Sequence, residues 1–300
     1  MIRIENLRKE YDAKTVALDD IDLVFEDSTF VALLGPSGCG KTTTLNCIAG
    51  LLEPTSGKIF FGDKDVTQLQ PKDRNIGMVF QSYALYPHFN HIDNIAFPLK
   101  QKGMKKAERY EKARKIAKML QIEYLLDRKP TQLSGGQQQR VSMARALVKE
   151  PDVLLLDEPM SNLDARLKIE IRDEIRRVQQ ETGITSIIVT HDQEEAMAIA
   201  DKIAILDNGR IQQYDTPERL YHYPANLFVA KFMGNPPMNF IDAAISADGT
   251  RVEGAGFSLP LEQHMAQGGK KFAGHAVKVG VRSHLMAVHT EKVPQAIVDA

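Results

Sequence analysis

The chain has 300 residues, of which 43% are hydrophobic and 26% charged, ordinary values for a globular protein with a sizeable core. Its 38 basic and 39 acidic residues give a net charge of -1, which excludes a general attraction to nucleic acid or to an acidic membrane surface. Two cysteines, Cys39 and Cys47, are too few for a disulfide framework and predict a reducing, cytosolic compartment. No apolar run approaches the roughly 18 residues of a membrane span, so we expect another chain to supply any membrane segment.

The first eighty residues alternate between short apolar stretches and turns, a pattern typical of strands. The predicted strands are Ile2–Ile4, Ile21–Phe25, Phe30–Leu34, a hairpin-like stretch at Lys58–Asp63, and Ile76–Phe80. One helix interrupts them at Lys41–Ala49, with Gly50 placed to cap its C terminus.

The segment from about residue 82 to 150 has a different character and predicts a helical insert. Helical periodicity extends over Arg109–Leu120 and Gln138–Val148. Lys100–Lys118 holds nine basic and two acidic residues. A nucleic-acid patch is conceivable there, but the i,i+4 spacing of Glu108 and Lys112 favours a solvated helix face.

An α/β rhythm returns after Pro151. Val153–Leu156 and Ile184–Val189 are continuous apolar runs, typical of strands in a sheet that is covered on both faces. The other predicted features are a helix carrying Leu167, Ile171, Ile175 and Val178 and closed by Gly183, a hairpin turn at Asn208-Gly209, and a helix start at Thr216-Pro217. Beyond Gly234-Asn235-Pro236-Pro237 only short β-like stretches follow, which predicts a small all-β unit.

The segment Gly35–Thr42, GPSGCGKT, matches the phosphate-loop pattern between a strand and a helix. Its glycines allow the backbone to curl so that successive N–H groups point at phosphate oxygens, and the helix N terminus adds a favourable dipole. Lys41 is expected at the β- and γ-phosphates, and the Thr42 hydroxyl at Mg²⁺. Cys39 is read as a variable loop position rather than as a reactive thiol. The sequence therefore predicts ATP and Mg²⁺ binding.

Two carboxylates, Asp157 and Glu158, follow the apolar run Val153–Leu156. They stand at the C-terminal end of a strand, where α/β sheets bind ligands. Asp157 suits the Mg²⁺ shell, and Glu158 suits the polarisation of an attacking water. Next to a phosphate loop, this pair predicts hydrolysis rather than binding alone.

Further candidates for the site follow other strands or open a helix. His191 and Gln81 each follow a predicted strand, so that His191 is expected to reach a γ-phosphate and Gln81 the Mg²⁺ or its water. Tyr11 is a candidate for stacking on adenine. Leu133–Gln137, here called the signature segment, opens a helix with small residues whose free amides suit an anion. An ordinary serine-capped helix is the alternative, but a second anion cradle predicts that this segment serves the nucleotide of another copy.

Together these motifs resemble the ATP-binding cassette (ABC) family over residues 1 to about 235. The resemblance implies an α/β phosphate-loop cassette with an antiparallel β subdomain and a helical subdomain (about 82–150), followed by an all-β, OB-like unit over 236–300. It implies a head-to-tail homodimer in which Asp164 links the two sites. Catalytic roles are implied for Glu158, His191, Gln81 and Lys41, and Mg²⁺ contacts for Thr42, Gln81 and Asp157. The implied nucleotide contacts are Tyr11, Gly35, Pro36, Ser37, Gly38, Cys39, Gly40, Lys41, Thr42, Thr43, Ser134, Gly135, Gly136, Gln137 and Asp164.

Local details resemble the sugar-importer branch of that family. Gln81–His88 is similar to the segment that grips the permease, and Pro224–Ala230 and Gly234–Phe240 are similar to the lead into an OB-like regulatory domain. The tail departs from the family: 236–300 is shorter than the usual domain, and Arg282-Ser283-His284 is one residue shorter than the usual Arg-Pro-Glu-His stretch. We therefore expect an incomplete OB-like unit.

The resemblance implies an ATPase that drives import of a carbohydrate. Its expected partners are a second copy, two transmembrane permease subunits near Ser82–His88, and indirectly an extracytoplasmic solute-binding protein, with no nucleic acid. The expected location is peripheral, on the cytoplasmic face of the inner membrane. Two alternatives stay open: an importer ATPase for a polyamine, a glycerol phosphate or a metal chelate, and a soluble ABC ATPase that acts on nucleic acid.

Overall fold

The computed structural model describes residues 1–12, 15–261 and 270–285. The chain divides into two compact units, Met1–Tyr223 and Pro224–Ala300. In the described ranges, no helix combines the length and the apolar character that a membrane span requires.

The first unit alternates strands and helices along the chain. Its strands are β1 (Ile2–Asp12), β2 (Thr15–Phe25), β3 (Phe30–Leu34), β4 (Ser56–Phe61), β5 (Lys64–Asp65), β6 (Ile76–Val79), β7 (Val153–Asp157), β8 (Thr185–Thr190), β9 (Lys202–Asp207) and β10 (Arg210–Asp215). Its helices are α1 (Lys41–Ala49), α2 (His91–Gln101), α3 (Lys106–Met119), α4 (Gly135–Leu147), α5 (Ala165–Thr182), α6 (Gln193–Ile199) and α7 (Pro217–His222).

An antiparallel sheet carries the N terminus, with strand order β2-β1-β4-β5. β1 lies between its neighbours, so that Ile2 pairs with Phe25 on one side and with Phe61 on the other. Ile2, Ile4 and Leu7 are buried and belong to the same apolar cluster as Leu33 of β3. This layer therefore packs on the central sheet, and it corresponds to the predicted antiparallel subdomain.

The central sheet has the order β10-β9-β3-β8-β7-β6, and its strands are parallel except for the edge strand β10. Leu34 at the end of β3 pairs with Thr190 at the end of β8, and Asp157 at the end of β7 pairs with Val189. Because the strands are parallel and in this register, the residues that follow β3, β7 and β8 emerge at one edge of the sheet.

The predicted helical insert is present as α2, α3 and α4. The predicted helix Arg109–Leu120 begins earlier, at Lys106, and the predicted helix Gln138–Val148 begins at Gly135. The sequence interpretation missed α2, which contains Pro98, a residue that usually ends a helix. Asn90 starts α2 by accepting a hydrogen bond from the main-chain N–H of Asp93.

Several predicted helix ends and turns are confirmed. Gly50 and Gly183 cap α1 and α5 in the left-handed conformation. Thr216 caps α7 with Pro217 at its first position. Asn208 and Gly209 form the β9–β10 turn with φ values of 47° and 75°.

The second unit contains α8 (Leu227–Phe232), β11 (Asn239–Ile245), β12 (Arg251–Gly254), β13 (Phe257–Pro260) and β14 (Ala276–Val281). The strands form one antiparallel sheet with the order β13-β12-β11-β14, as expected for an all-β unit. Arg282 is buried, and its guanidinium donates to the carbonyls of Ala230 and Met233. This arginine therefore ties the end of α8 to the end of β14.

Candidate nucleotide site

The phosphate loop joins β3 to α1 through residues 35–40. Gly38 and Gly40 have φ values of 80° and 105°, which glycine adopts without steric cost. A Cβ on Gly40 would lie 2.6 Å from the carbonyl oxygen of Ala17, and one on Gly35 would lie 2.2 Å from that of Leu206. Packing therefore requires glycine at Gly35 and Gly40, and the backbone conformation favours it at Gly38 and Gly40.

Lys41, the first residue of α1, folds back over this loop. Its Nζ donates hydrogen bonds of 2.8 Å to the carbonyl oxygens of Gly35 and Pro36, and the residue is only 5% exposed. The ammonium group is thus held within the loop by main-chain oxygens. An anion that enters the loop can attract the same group without a large change of backbone.

Two oxygen atoms that could bind a metal ion lie close together next to the phosphate loop. The Thr42 hydroxyl donates to Asp157 Oδ1 at 3.1 Å. Burial raises the pKa of Asp157, and Glu158 adds to this shift, while the bond from Thr42 and the charge of Lys41 oppose it. Among the described residues, no group of three or more His, Cys, Asp or Glu side chains is placed to hold a metal ion. A hydroxyl and one carboxylate are the donor set of a hard cation that completes its shell with water and phosphate oxygens.

Glu158 follows β7 in a left-handed conformation with φ of 43°. Its N–H donates to the carbonyl of Val189 in β8, which fixes the turn. Its Oε2 lies 3.4 Å from Nδ1 of His191, whose side chain is 55% exposed against 23% for Glu158. The structure therefore brings the two residues predicted from separate strands into contact.

Gln81 joins the same group from β6. Its side-chain Nε2 donates to the hydroxyl of Ser161 at 3.2 Å, and its carbonyl accepts from Nδ2 of Asn162 at 3.1 Å. The Ser161 hydroxyl donates to the main-chain carbonyl of Glu158 at 3.0 Å. Ser161 and Asn162 were not predicted as site residues, since their contacts with Gln81 depend on β6 lying next to β7.

The signature segment starts α4. The Ser134 hydroxyl accepts from the N–H of Gln137, and the Gln137 side chain accepts from the N–H of Ser134, which forms a capping box. A Cβ on Gly136 would lie 2.9 Å from Leu167, and one on Gly135 would lie 3.0 Å from Leu163. Gln137 also donates to the hydroxyl of Tyr124 at 3.5 Å. The contacts of the signature segment in the described part of the chain are thus with its own helix, with the two leucines and with tyrosine hydroxyls.

Three further predicted nucleotide contacts are Asp164, Tyr11 and Thr43. Asp164 caps α5, accepting from the N–H of Leu167 at 3.0 Å, and is exposed. Tyr11 is 59% exposed on β1, with Nζ of Lys9 at 5.6 Å from the centre of its ring. Thr43, in the first turn of α1, is partly buried. Their nucleotide contacts remain predictions.

The turn between β9 and β10 supports the phosphate loop, a role that the sequence did not indicate. The N–H of Gly209 donates to the carbonyl of Cys39 at 3.1 Å, and its carbonyl accepts from the N–H of Asp19 at 2.8 Å. Arg210 forms an ion pair of 2.5 Å with Asp19. The dipeptide Asn208-Gly209 predicted a turn, but its contact with Cys39 depends on β9 lying next to β3.

Family models match both parts of the chain. A model described as ABC transporter matches residues 18–161, and one described as MalK OB fold domain matches residues 234–283. The chain is 47% identical to the trehalose/maltose import ATP-binding protein of Thermococcus litoralis, over 94% of this chain and 77% of that protein. It is 45% identical to the sn-glycerol-3-phosphate import ATP-binding protein of Yersinia pseudotuberculosis, over 94% and 78%. The identity is 49% to the maltose/maltodextrin import ATP-binding protein of Yersinia pestis, over 91% and 75%.

Solved structures give the same result. A dimeric bacterial ABC transporter cassette superimposes with a TM-score of 0.65 and 33% identity, over 72% of this chain and 99% of that one. A post-hydrolysis dimer of a cassette bound to ADP and phosphate superimposes with a TM-score of 0.65 and 34% identity, over 72% of this chain and 99% of that one.

The fold and the site define a phosphate-loop ATPase of the cassette class. The chain belongs to the ABC transporter family, and the predicted fold class and sugar-importer-type resemblance are confirmed.

Proposed function

We propose that this chain is the ATP-hydrolysing subunit of an ABC importer that energises uptake of a carbohydrate or a related solute. The observation that carries this proposal is the contact between Glu158 and His191, beside the Thr42–Asp157 pair. If that pair holds the metal, Glu158 would be a base next to the metal and the phosphates. The importer assignment is supported by relatives whose names specify import of trehalose and maltose. A relative named for import of sn-glycerol-3-phosphate has a sequence identity close to theirs, 45%. A phosphate ester is therefore the second candidate cargo.

The phosphate loop would hold the triphosphate of ATP, with Lys41 exchanging its bonds to Gly35 and Pro36 for phosphate oxygens. Tyr11 would stack on the base. The proposed loop contacts are Gly35, Pro36, Ser37, Gly38, Cys39, Gly40, Lys41, Thr42 and Thr43. Thr42, Gln81 and Asp157 fit Mg²⁺, since all three offer oxygen ligands. Bound there, the ion would neutralise charge on the β- and γ-phosphates.

Glu158 would accept the proton of the attacking water, and His191 would orient that carboxylate and contact the γ-phosphate. Because Glu158 is held at both its N–H and its carbonyl, it needs little reorganisation when charge develops. Positioning and electrostatic stabilisation would supply most of the rate enhancement.

The second half of each site would come from a second copy of this chain. Ser134, Gly135, Gly136 and Gln137 are at the start of α4. Ser134 and Gln137 accept each other's N–H groups in the capping box, so Gly135 and Gly136 would offer their N–H groups to an anion. The dimeric state of a similar cassette, seen in two solved structures, supports this arrangement. Asp164 would link the two sites. Two permease subunits would contact the segment near Ser82–His88, a solute-binding protein would act through them, and the chain would lie on the cytoplasmic face of the membrane.

The proposed domain division is a nucleotide-binding domain over 1–235, with its helical subdomain at about 82–150, and an OB-like regulatory domain over 236–300. The compact units of the structure meet earlier, between Tyr223 and Pro224. The MalK-type OB match over 234–283 supports the later boundary.

The test is the Glu158→Gln variant with Mg·ATP. We expect ATP binding to persist, a dimer to accumulate, and hydrolysis to fall by roughly a hundredfold or more, about 3 kcal/mol of barrier. Lys41→Ala should instead weaken ATP binding. Glu170→Gln is the matched control, since Glu170 is exposed on α5 and pairs with Arg166. Unchanged turnover in Glu158→Gln would refute the role of Glu158. Co-purification with permease subunits would support the importer, whereas ATPase stimulation by nucleic acid would support the soluble alternative.

A further inference from the structure

The segment Gln81–His88 contains two consecutive residues in a costly backbone conformation. Tyr83 and Ala84 have φ values of 61° and 49°, and neither is glycine. A left-handed non-glycine residue costs roughly 1–2 kcal/mol, and it persists only where neighbouring groups hold it. The groups that hold this pair therefore help to fix the segment, together with Asn94 of α2, whose side chain bonds both the N–H and the carbonyl of Tyr86.

Those groups come from helix α4. Arg145 donates from Nη1 to the carbonyl of Ala84 at 2.6 Å and from Nη2 to the carbonyl of Tyr83 at 3.0 Å. The Ser142 hydroxyl donates to the same Tyr83 carbonyl at 2.9 Å. The planar, forked guanidinium can hold two successive carbonyls at once, which a lysine ammonium cannot do with the same geometry.

Besides these two carbonyls, Arg145 lies beside an aromatic ring. Among the described residues, no carboxylate forms an ion pair with it, and its guanidinium lies 5.7 Å from the ring centre of Tyr86. Tyr86 in turn packs against Phe89 and Phe97. Because its N–H groups bond loop carbonyls and its guanidinium lies beside an aromatic ring, Arg145 stabilises one loop conformation instead of forming a surface ion pair.

The same loop also contacts the other end of α4. A Cβ on Gly135 would lie 3.3 Å from the hydroxyl of Tyr83, whose side chain is buried. Gly135 is the first residue of α4, and Arg145 lies about 15 Å further along the helix at 1.5 Å per residue. The Gln81–His88 segment is thus attached to α4 at the signature segment and at its C-terminal turns.

We propose that Arg145 is a positioning residue that makes the Gln81–His88 segment and the signature segment move as one body. A partner that displaces the segment near Ser82–His88 would then displace Ser134–Gln137, and closure of Ser134–Gln137 on a nucleotide would pull on the partner. The inference rests on the proposed function for the identity of that partner, but the mechanical link is a property of this chain alone.

The deciding experiment is hydrogen exchange on the full chain without nucleotide, comparing the unsubstituted protein with Arg145→Lys. We expect exchange to quicken at least fivefold both in residues 82–88 and in residues 134–138, with the amides of β3, β7 and β8 unchanged. Arg140→Lys is the matched control, because Arg140 lies on the same helix and pairs with Glu174 at 2.6 Å instead. Ser142→Ala should quicken exchange in the same two segments, but by a smaller factor. If Arg145→Lys does not fold, the result for Ser142→Ala tests the proposal instead.

Faster exchange in residues 82–88 alone would overturn the proposal, since Arg145 would then shape only the loop. An unchanged exchange pattern, or equal effects from Arg140→Lys, would overturn it as well.

The second readout is ATPase activity with co-expressed permease subunits. There Arg145→Lys should lose most of the stimulation by the partner, while its Mg·ATP affinity stays within about twofold of the unsubstituted chain. Absence of any stimulation in the unsubstituted chain would count against the proposed function, and hydrogen exchange would still decide the role of Arg145.

Discussion

The side-chain amide of Gln81 donates a hydrogen bond of 3.2 Å to the hydroxyl of Ser161. That hydroxyl also donates to the main-chain carbonyl of Glu158 at 3.0 Å. Gln81 follows β6, while Glu158 and Ser161 follow β7, so one serine joins the ends of two neighbouring strands. Because Glu158 is in the left-handed region, the bond to its carbonyl stabilises a conformation that is unfavourable by itself.

Replacing Ser161 should therefore impair hydrolysis without removing any group that touches ATP. For Ser161→Ala we expect the ATPase kcat to fall about fivefold, since one hydrogen bond contributes on the order of 1 kcal/mol. ATP affinity should change little. Steady-state ATPase assays measure both values. Ser258→Ala, an exposed serine of the second unit, is the control, and an equal kcat in the two variants would contradict the role of Ser161.

Gly209 should matter for ATP binding because it supports the phosphate loop. A Cβ at this position would lie 2.8 Å from the carbonyl oxygen of Ala17, so Gly209→Ala must move the turn and weaken its bond to Cys39. We expect ATP to bind several-fold more weakly, measured by displacement of a fluorescent nucleotide. Gly62→Ala is a matched control, since Gly62 also has positive φ but open space around it. It should cost stability of about 1 kcal/mol and leave ATP affinity intact. Equal affinities in both variants would show that the turn does not support the loop.

Arg74 should stabilise the fold through the C-terminal end of α1. The residue is 3% exposed, and its guanidinium donates to four carbonyls, those of Cys47, Ile48, Thr67 and Leu69. A cation at a helix C terminus is favourable, and removal of this one leaves buried acceptors without donors. We expect Arg74→Met to lower the free energy of unfolding by about 2–4 kcal/mol in urea denaturation. Arg166→Met, at a side chain that is 90% exposed, should change it little, and a similarly small change for Arg74 would refute the capping role.

His91 should make the protein sensitive to acid. It is fully buried at the start of α2, and burial lowers its pKa from 6.5 to about 4. The unfolded chain therefore binds the proton more tightly, so the stability is complete above pH 6.5 and is lost as the pH falls toward 4. We expect the free energy of unfolding to fall by about 2 kcal/mol between pH 7 and pH 5 from this group.

The variant His91→Leu should reduce that loss, because it removes the group that takes up the proton. His222→Leu, at an exposed histidine of α7, should retain the loss. Urea denaturation at pH 7 and at pH 5 measures both. If His91→Leu keeps the full pH dependence, the acid sensitivity arises elsewhere.

Local signals in the sequence predicted some elements well and others poorly. Helix α1 has the predicted bounds because a glycine stands at each of its ends, and the Asn208-Gly209 turn follows from the conformations those two residues favour. Helix α2 was not predicted because it contains Pro98, a residue that usually ends a helix. It is stabilised by packing on α3 and α4, which the local sequence does not indicate. The sequence also gave no sign that Arg74 is buried, because no residue near it in the chain indicates burial.

The amino-acid sequence by itself determined the chemical groups of the site: the phosphate loop at Gly35–Thr42, the carboxylates Asp157 and Glu158, and the signature segment. These are contiguous motifs, so their meaning depends on neighbours along the chain. Tertiary structure decided which of them meet. Thr42 reaches Asp157, and Glu158 reaches His191, only because parallel strands from distant parts of the chain lie in one register. Ser161, Gly209 and Arg145 gained their roles in the same way, since each acts through a hydrogen bond to a strand or loop far away in sequence.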